Sequence, residues 1–222
     1  MASRKKKAPA TTGGDAFAND ADRSKADILA VATEEFATYG LSGARVDAIA
    51  KRTRTSKRMI YYYFKGKEGL YRAVLEKAYS EIRSIDSQVG IEAAEPVEDA
   101  IRRIVEITFD YDETHPFFIS LVAVENVHRG RNIAKLPSIK QSGASVIRVL
   151  NSILERGAKQ GVFRKDVNAI DLHLFISAFC VFRVSNRFTF GKIFDCDLSD
   201  PVVRARHKKI FTEAVLRYLE PR

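Results

Sequence analysis

Apolar residues recur at every third or fourth position along most of the chain, which is the spacing of an α-helix that buries one face. No stretch alternates apolar and polar residues as a half-buried β-strand does. The predicted fold class is therefore all-α. The pattern predicts a first helix up to about residue 39, two short helices within residues 45–67, and longer helices over about 68–88, 97–114, 116–128, 137–160, 168–190 and 201–219.

The first helix has recognisable ends in the sequence. Ser24, followed three residues later by Asp27, forms a plausible capping box, so the helix is predicted to start near Ser24. Gly40 stands where a helix-terminating glycine is expected. Residues 1–20 are small, polar and basic without periodicity, and we predict a disordered basic arm that either contacts nucleic acid or only improves solubility.

Residues 45–67 contain two short amphipathic helices separated by a break at Thr53-Arg54-Thr55. Ser56 follows the break, and its hydroxyl is suited to accept a hydrogen bond from the first turn of the second helix. Two short helices joined by a tight turn predict a helix-turn-helix. The residues on the core-facing sides of the two helices are Val46, Ile49 and Ala50, then Ile60 and Phe64.

The charge of the chain is concentrated around the same segment. The net charge is +9, and residues 45–67 contribute eight basic residues against a single acid, Asp47. Such a stretch is either a solvated lysine-rich hairpin or a surface for an acidic partner, nucleic acid or an anionic membrane. We favour nucleic acid, because cations and tyrosine hydroxyls suit phosphates and base edges. The side of the second helix away from the core carries Lys57, Arg58, Tyr61 and Tyr62.

The segment from Ser24 to Glu76 closely resembles the DNA-binding domain of the tetracycline-repressor (TetR) family. The resemblance lies in ILAVATEEFATYG and VDAIAKRTRTSKRMIYYYFKGKEGLYRAVLE, and especially in the pattern S-K-x-x-I-Y-x-Y-F-x-x-K-E. It implies three helices and the start of a fourth, with the third as recognition helix. The resemblance also implies, by position, that Lys67 would meet a phosphate. The residues that would contact bases and phosphates are Lys57, Arg58, Tyr61 and Tyr62.

Two positions depart from the family pattern. Arg54 stands where the family usually has a turn glycine, so we expect slight strain or one more cation at the DNA. Ala44 and Arg45 replace the usual Thr or Ser before Val46, so we expect a less well capped second helix and a charge contact from Arg45. The predicted DNA-binding residues are Arg45, Arg54, Ser56, Lys57, Arg58, Tyr61, Tyr62 and Lys67.

The helices predicted after residue 96 contain clusters of aromatic and aliphatic residues, more aromatic than one small helical bundle needs. These residues either fill an ordinary core or surround an apolar cavity with a few polar groups. The resemblance favours the cavity, because the family's second domain is helical and holds a ligand pocket and a dimer interface. The candidate ligand-binding residues are Tyr111, Phe117, Phe118, Leu121, Glu125, Asn151, Phe175 and Phe179.

Other classes of function lack their motifs. The four histidines and two cysteines have no metal-ligand spacing, and no phosphate loop, nucleophile elbow or carboxylate pair is found, so we expect neither enzyme activity nor a cofactor. The longest apolar run, residues 174–182, is far shorter than the roughly 20 residues of a membrane span. No signal peptide is recognisable, so we expect a cytoplasmic protein without a membrane partner.

These observations predict a transcriptional regulator in two functional parts after the basic arm: a helix-turn-helix DNA-binding domain over 21–67, and a helical ligand-binding and dimerisation domain over 68–222. The apolar faces of residues 174–182 and of the last helix suit a homodimer, with packing inside one chain as the alternative. We expect a homodimeric repressor that leaves a palindromic double-stranded DNA operator when a small, largely apolar effector binds. The alternative is an activator, or a regulator that needs no ligand.

Overall fold

The structure is a computed structural model that describes residues 13–88 and 95–221, without the side chains of residues 13–20, 83–88 and 142. Within these ranges the chain forms ten α-helices, one 3-10 helix (Ile133–Lys135) and no strand, so the all-α fold class is confirmed. The α-helices are α1 (Gly13–Gly43), α2 (Val46–Arg52), α3 (Lys57–Phe64), α4 (Lys67–Gln88), α5 (Val97–Thr114), α6 (Pro116–Val127), α7 (Pro137–Gln160), α8 (Ala169–Ser185), α9 (Arg187–Phe194) and α10 (Pro201–Leu219).

Helix α1 is longer than the sequence pattern indicated. It begins at Gly13, so the predicted start at Ser24 is wrong. Residues 13–20 of the predicted disordered arm form its first turns, and residues 1–12 lie outside the described residues. The predicted stop is confirmed, because Gly40 leaves the helical conformation at φ +66°.

The N-terminal helices enclose a first hydrophobic core. Phe36 of α1 meets Tyr71 of α4 edge-on, with ring centroids 5.0 Å apart, and both side chains are fully buried. Burial of a large apolar side chain of this kind contributes about 1.5–3 kcal/mol. α4 begins at Lys67, the predicted domain boundary, but its apolar residues belong to this core. The buried residues of the core include Ile28, Ala32, Phe36, Ile49, Ile60, Leu70, Tyr71, Val74 and Leu75.

A second core lies among α5, α7, α8 and α10. α6 belongs mainly to the first core, because Leu121 is buried there and Val124 packs against it. The start of α7 also contributes Ile139 to the first core. α4, α6 and α7 therefore connect the two halves of the molecule. The second core includes Ile101, Val105, Phe109, Leu150, Ile153, Leu172, Ile176, Phe211 and Val215.

The single helix predicted over 168–190 is two helices. α8 ends at Ser185 and α9 starts at Arg187, and the two meet at 71°. At the corner, the Asn186 side chain donates to the carbonyl of Phe182 at 3.3 Å, a local hydrogen bond that competes with helix continuation. No single helix among the described residues is long and apolar enough to cross a bilayer. The helices α8 and α9 reach that length and apolarity only when they are counted together, across this bend.

Candidate nucleic-acid interface and interior cavity

Helix α3 is held by a cap at its start and a buried residue in its middle. The Ser56 hydroxyl accepts a hydrogen bond from the Met59 N–H at 3.1 Å, which confirms the predicted N-cap. Ile60 is fully buried and fixes the rotation of the helix about its axis. Its eight residues span about 12 Å, a length that fits along a DNA major groove. The side chains that α3 exposes include Lys57, Arg58, Tyr61 and Tyr62.

The turn between α2 and α3 depends on an unusual backbone conformation at Arg54. Its φ is +52°, in the left-handed region that glycine adopts at little cost. The turn is closed by hydrogen bonds from the Thr53 N–H to the Ile49 carbonyl at 3.0 Å and from the Thr55 N–H to the Ala50 carbonyl at 3.1 Å. The strain expected from the missing glycine is therefore at this residue.

Helix α2 starts without a side-chain cap, as the missing Thr or Ser predicted. Arg45 occupies the N-cap position, and its own N–H donates to Oε1 of Glu35 in α1 at 2.9 Å. The Arg45 side chain is exposed. Its guanidinium therefore lies at the positive end of α2, beside the turn that leads to α3.

The cations of this segment divide into paired and unpaired groups. Lys57 Nζ lies 3.2 Å from Oδ1 of Asp47, Arg52 pairs with Glu34, and Lys67 Nζ donates to the Ser42 carbonyl at 3.1 Å. Three exposed guanidinium groups make no ion pair within the part of the chain that the structure describes. They belong to Arg45, Arg54 and Arg58. A planar guanidinium can bind a phosphate or a guanine edge through two hydrogen bonds.

One glycine that the sequence analysis did not single out sets the distance between α3 and α4. A Cβ at Gly69 would lie 1.7 Å from the carbonyl oxygen of Phe64, the last residue of α3. Only glycine permits this approach of the two backbones. Gly69 thereby fixes where α3 stands relative to the first core.

An interior cavity of about 430 Å³ lies between the two halves of the molecule. Five helices contribute to its lining, which is mostly apolar: α4, α5, α6, α7 and α8. This volume is within the range usual for small-molecule sites. The lining residues are Tyr79, Ile82, Ile104, Ile107, Thr108, Tyr111, Asp112, Phe118, Val122, Ile139, Gly143, Val146, Val149, His173, Ser177 and Val181.

The polar groups of the cavity are few and partly unsatisfied. The Tyr111 hydroxyl is buried and has no hydrogen-bond partner among the described residues, and burial raises the pKa of this side chain. Asp112 is only 5% exposed, and its burial, reinforced by Glu113, raises the pKa of its carboxyl to about 7. Burial lowers the pKa of His173. The cavity thus offers hydroxyls, one acid and one imidazole in an apolar surrounding.

Glu125 of α6 forms a polar anchor beside the cavity. It is 1% exposed and accepts hydrogen bonds from the Asn132 side chain at 2.9 Å and from the Asn132 and Ile133 N–H groups at 3.1 and 3.3 Å. Burial acts to raise the pKa of Glu125, but these hydrogen bonds and the adjacent Tyr71 hydroxyl outweigh it and lower the pKa. α6 is therefore fixed to the segment that follows it.

Comparison with known families identifies the architecture. Residues 28–74 match the family described as bacterial regulatory proteins, tetR family, and residues 96–215 match the tetracyclin repressor-like C-terminal domain. The chain belongs to the TetR family. The resemblance found in residues 24–76 is thus confirmed, and the family and the named relatives of this TetR-family protein are transcriptional regulators, not enzymes.

Relatives and solved structures agree with this assignment. The transcriptional repressor NicS of Pseudomonas putida is 33% identical over 202 residues, which cover 91% of this chain and 95% of NicS. The FadR regulator of Bacillus subtilis in complex with stearoyl-CoA has a TM-score of 0.66 at 16% identity, covering 87% of this chain and 98% of FadR. The ketosteroid regulator KstR2 of Mycobacterium tuberculosis has a TM-score of 0.65 at 16% identity, covering 88% and 94% of the two chains.

The eight candidate ligand-binding residues of this TetR-family chain lie in different surroundings. Tyr111 and Phe118 line the cavity, with ring centroids 6.1 Å apart. Leu121 is buried in the first core, and Glu125 forms the anchor just described. Asn151 is exposed on α7.

The three remaining aromatic candidates also lie outside the cavity lining. Phe179 stacks on Phe211 at 4.2 Å, Phe175 meets the same ring edge-on at 5.5 Å, and Phe117 is exposed. Sequence reasoning missed Asp112, although a clue existed. Asp112 follows Ile104 and Thr108 at intervals of four, so it is a charged residue on the apolar face of α5.

Proposed function

We propose that this TetR-family regulator is a cytoplasmic homodimeric repressor that binds a palindromic double-stranded DNA operator and leaves it when a small, largely apolar effector occupies the cavity. The observation that carries the proposal is the position of α6. Phe118 and Val122 of α6 line the cavity, whereas Leu121 and Val124 pack into the core that supports α3. A ligand that displaces α6 therefore acts on the DNA-binding helices.

On DNA, α3 enters the major groove with its exposed side. Arg58, which is exposed and unpaired within the described residues, is suited to read a guanine, and Lys57, Tyr61 and Tyr62 contact bases or phosphates. Ser56 positions α3 rather than reading bases. Phosphate contacts come from Arg45 at the start of α2, Arg54 in the turn and Lys67 at the start of α4.

The dimer forms through α8 and α10. Each helix exposes several large apolar side chains to solvent. A surface with several exposed large apolar side chains is characteristic of an interaction surface. We assign it to a second copy of the chain, related by a twofold axis that matches a palindromic operator. The exposed residues are Ile170, Leu174, Phe175 and Phe182 on α8, and Val202, Ile210 and Tyr218 on α10.

Release from DNA is a population shift. A ligand that binds the conformer unable to bind DNA more tightly by about 1–3 kcal/mol lowers operator affinity about 5–150-fold. NicS is named a repressor, which supports repression here. FadR with stearoyl-CoA and the ketosteroid regulator KstR2 support a ligand with a large apolar body. An activator, or a regulator without a ligand, remains the alternative outcome of the experiment.

The test begins with selection of bound sequences from random DNA by the full chain. The selected sequence should be a palindrome, and Arg58→Ala should relax preference at one or two base pairs of each half-site, worth about 1–3 kcal/mol. Arg45→Ala should weaken specific and random DNA alike and reduce the slope of log affinity against log salt by about one.

The matched control is Lys159→Ala. Lys159 is exposed in the last turn of α7, and this helix of 24 residues is about 36 Å long, so the control removes a cation far from α3. A selected sequence without symmetry, or equal losses for all three variants, contradicts the proposed mode of binding. Apolar compounds that stabilise the protein thermally but leave operator affinity unchanged contradict the proposed induction.

A further inference from the structure

Asp112 is a buried acid whose carboxylate has no hydrogen-bond or ion-pair partner among the residues that the structure describes. It lines the cavity, is 5% exposed, and makes no hydrogen bond or ion pair with its carboxylate among the described residues. A buried carboxylate without a partner is costly, so proteins normally pair it or keep it protonated. Here Glu113 adds a second negative charge beside it, and burial with this repulsion raises the pKa of Asp112 to about 7.

The buried cation Arg183 of α8 already has partners. Arg183 donates to Oε1 of Glu113 at 3.1 Å through Nε and to the Leu198 carbonyl at 2.7 Å through Nη2, and it contacts His207. Its guanidinium also lies over the Phe109 ring. These contacts hold Arg183 in the packing of α5, α8 and α10. Arg183 is therefore not a counter-charge for Asp112.

The other described lining residues of the cavity provide no positive charge at neutral pH. None of them is a lysine or an arginine, and burial lowers the pKa of His173, so its imidazole is neutral there. Three aromatic rings meet in the cavity: Phe118 is 5.2 Å from Tyr79 and 6.1 Å from Tyr111. Faces of aromatic rings attract cations. Asp112 and these rings favour a positive charge in the cavity and oppose a negative one.

We propose that the effector is an organic cation, an apolar body with a protonated amine whose nitrogen binds the Asp112 carboxylate. The proposal rests on the proposed function of the cavity and adds the chemical class of its ligand. An ammonium group would form a charge-assisted hydrogen bond to Asp112 and lie against the aromatic rings. A carboxylate or phosphate would meet a buried acid with no compensating cation among the described lining residues, so the proposal excludes acidic ligands.

The test compares probes that differ only in charge. The full chain at pH 8 is titrated calorimetrically with 4-phenylbutylamine, 4-phenylbutan-1-ol and 4-phenylbutyrate, and with the same three end groups on naphthylethyl and decyl bodies. The amine should bind about tenfold or more tightly than the alcohol, and the carboxylate more weakly than the alcohol. Asp112→Asn should remove the preference for the amine and leave the affinity for the alcohol within about threefold.

Asp99→Asn is the matched control, since it makes the same change on an exposed residue of α5. A second measurement does not need a variant. The affinity of a permanently charged 4-phenylbutyl-trimethylammonium probe should fall about tenfold between pH 8 and pH 6, as Asp112 becomes protonated, while the affinity of the alcohol stays constant.

Other ionisable groups near the cavity have distinguishable effects. Tyr79 on α4, Tyr111 on α5 and Cys180 on α8 have raised pKa values and do not titrate in this window. The lining residues of α6 and α7 are not ionisable. Protonation of His173 on α8 would act with the same sign, and it accounts for any pH dependence that survives in Asp112→Asn.

The outcomes separate the two proposals. Equal affinity for amine and alcohol, tighter binding of the carboxylate, or an Asp112→Asn variant that binds the amine as well as the unchanged chain would overturn the assignment of a cation. In those cases a neutral or acidic probe that releases the selected operator still supports the effector cavity. If no probe of any charge or skeleton binds, both the cavity's function and the cation are rejected.

Discussion

Arg54 keeps a left-handed backbone conformation, at φ +52°, in a turn on which the position of α3 depends. A side chain with a Cβ adopts this region at a cost of roughly 1 kcal/mol relative to glycine. Evolution of a DNA-binding protein can accept such a cost where the charge is useful. Conformation and charge at this residue can be separated by two substitutions.

Arg54→Gly should be more stable to urea than Arg54→Ala by about 1 kcal/mol, because both variants lack the charge and only glycine is relaxed at this φ. Both should lose the same share of the salt dependence of DNA binding if Arg54 contacts a phosphate. The measurements are urea unfolding and operator titrations at several salt concentrations. Equal stability of the two variants would show that the turn is not strained.

Asp112 also affects stability through its pKa. Burial raises this pKa to about 7, so the folded state binds a proton more tightly than the unfolded state, and stability is lost as pH rises towards and through pH 7. Between pH 5 and pH 8 the loss from this group amounts to about 2–3 kcal/mol. Asp112→Asn should remove that part of the pH dependence. The free energy of unfolding of the variant should therefore increase relative to that of the unchanged chain as pH rises. Urea unfolding of both proteins across this range tests it, and parallel curves would refute it.

At the level of helices, the contact between α3 and α4 depends on a single missing side chain. Gly69 lies in the first turn of α4, where a Cβ would lie 1.7 Å from the Phe64 carbonyl oxygen. A rigid backbone group cannot move aside as a flexible side chain can. The recognition helix and α4, which also lines the cavity, are therefore coupled through this contact.

Gly69→Ala should destabilise the protein by about 1–3 kcal/mol and weaken operator binding, because α3 must move away from its position. The matched control is Gly143→Ala in α7, where nothing lies within 4 Å of the added Cβ. In a helix interior this control should be neutral or stabilise by up to about 1 kcal/mol. Urea unfolding and operator titration measure both variants. A Gly69→Ala variant as stable as its control would contradict this account.

At the level of the whole molecule, the exposed apolar side chains of α8 and α10 form the proposed dimer interface. Phe175 lies 5.5 Å from Phe211 and 6.0 Å from Tyr218, so the two helices are adjacent and form one continuous surface. Leu174 is 66% exposed on this surface. Water contact of so many apolar side chains is unfavourable, and a second copy would remove it.

Leu174→Glu should yield a folded monomer that binds the operator much more weakly, because each monomer contacts only one half-site. Val127→Glu is the control, since Val127 is 80% exposed at the end of α6, outside the α8 and α10 surface. Sedimentation equilibrium should give a dimer for the control and for the unchanged chain. A dimeric Leu174→Glu variant would assign the interface elsewhere.

Features that depend on neighbours in the sequence were predictable without the fold. The Ser56 cap, the stop at Gly40 and the strained Arg54 turn each involve residues within a few positions of one another. Helix spacing likewise gave the bounds of α5 and α10, since Pro96 and Pro201 mark where these helices can begin. Local hydrogen bonds and backbone sterics act in the same way in any tertiary surrounding.

Only the tertiary structure decided which apolar faces meet a core, a cavity or water. Phe118 and Phe179 have similar sequence surroundings, yet one lines the cavity and the other stacks on Phe211. Periodicity shows that a face is apolar but not what lies opposite it, because that depends on helices far away in the chain. For the same reason the sequence did not reveal Asp112: its burial without a partner among the described residues results from five helices packing together, and no stretch of sequence by itself contains that fact.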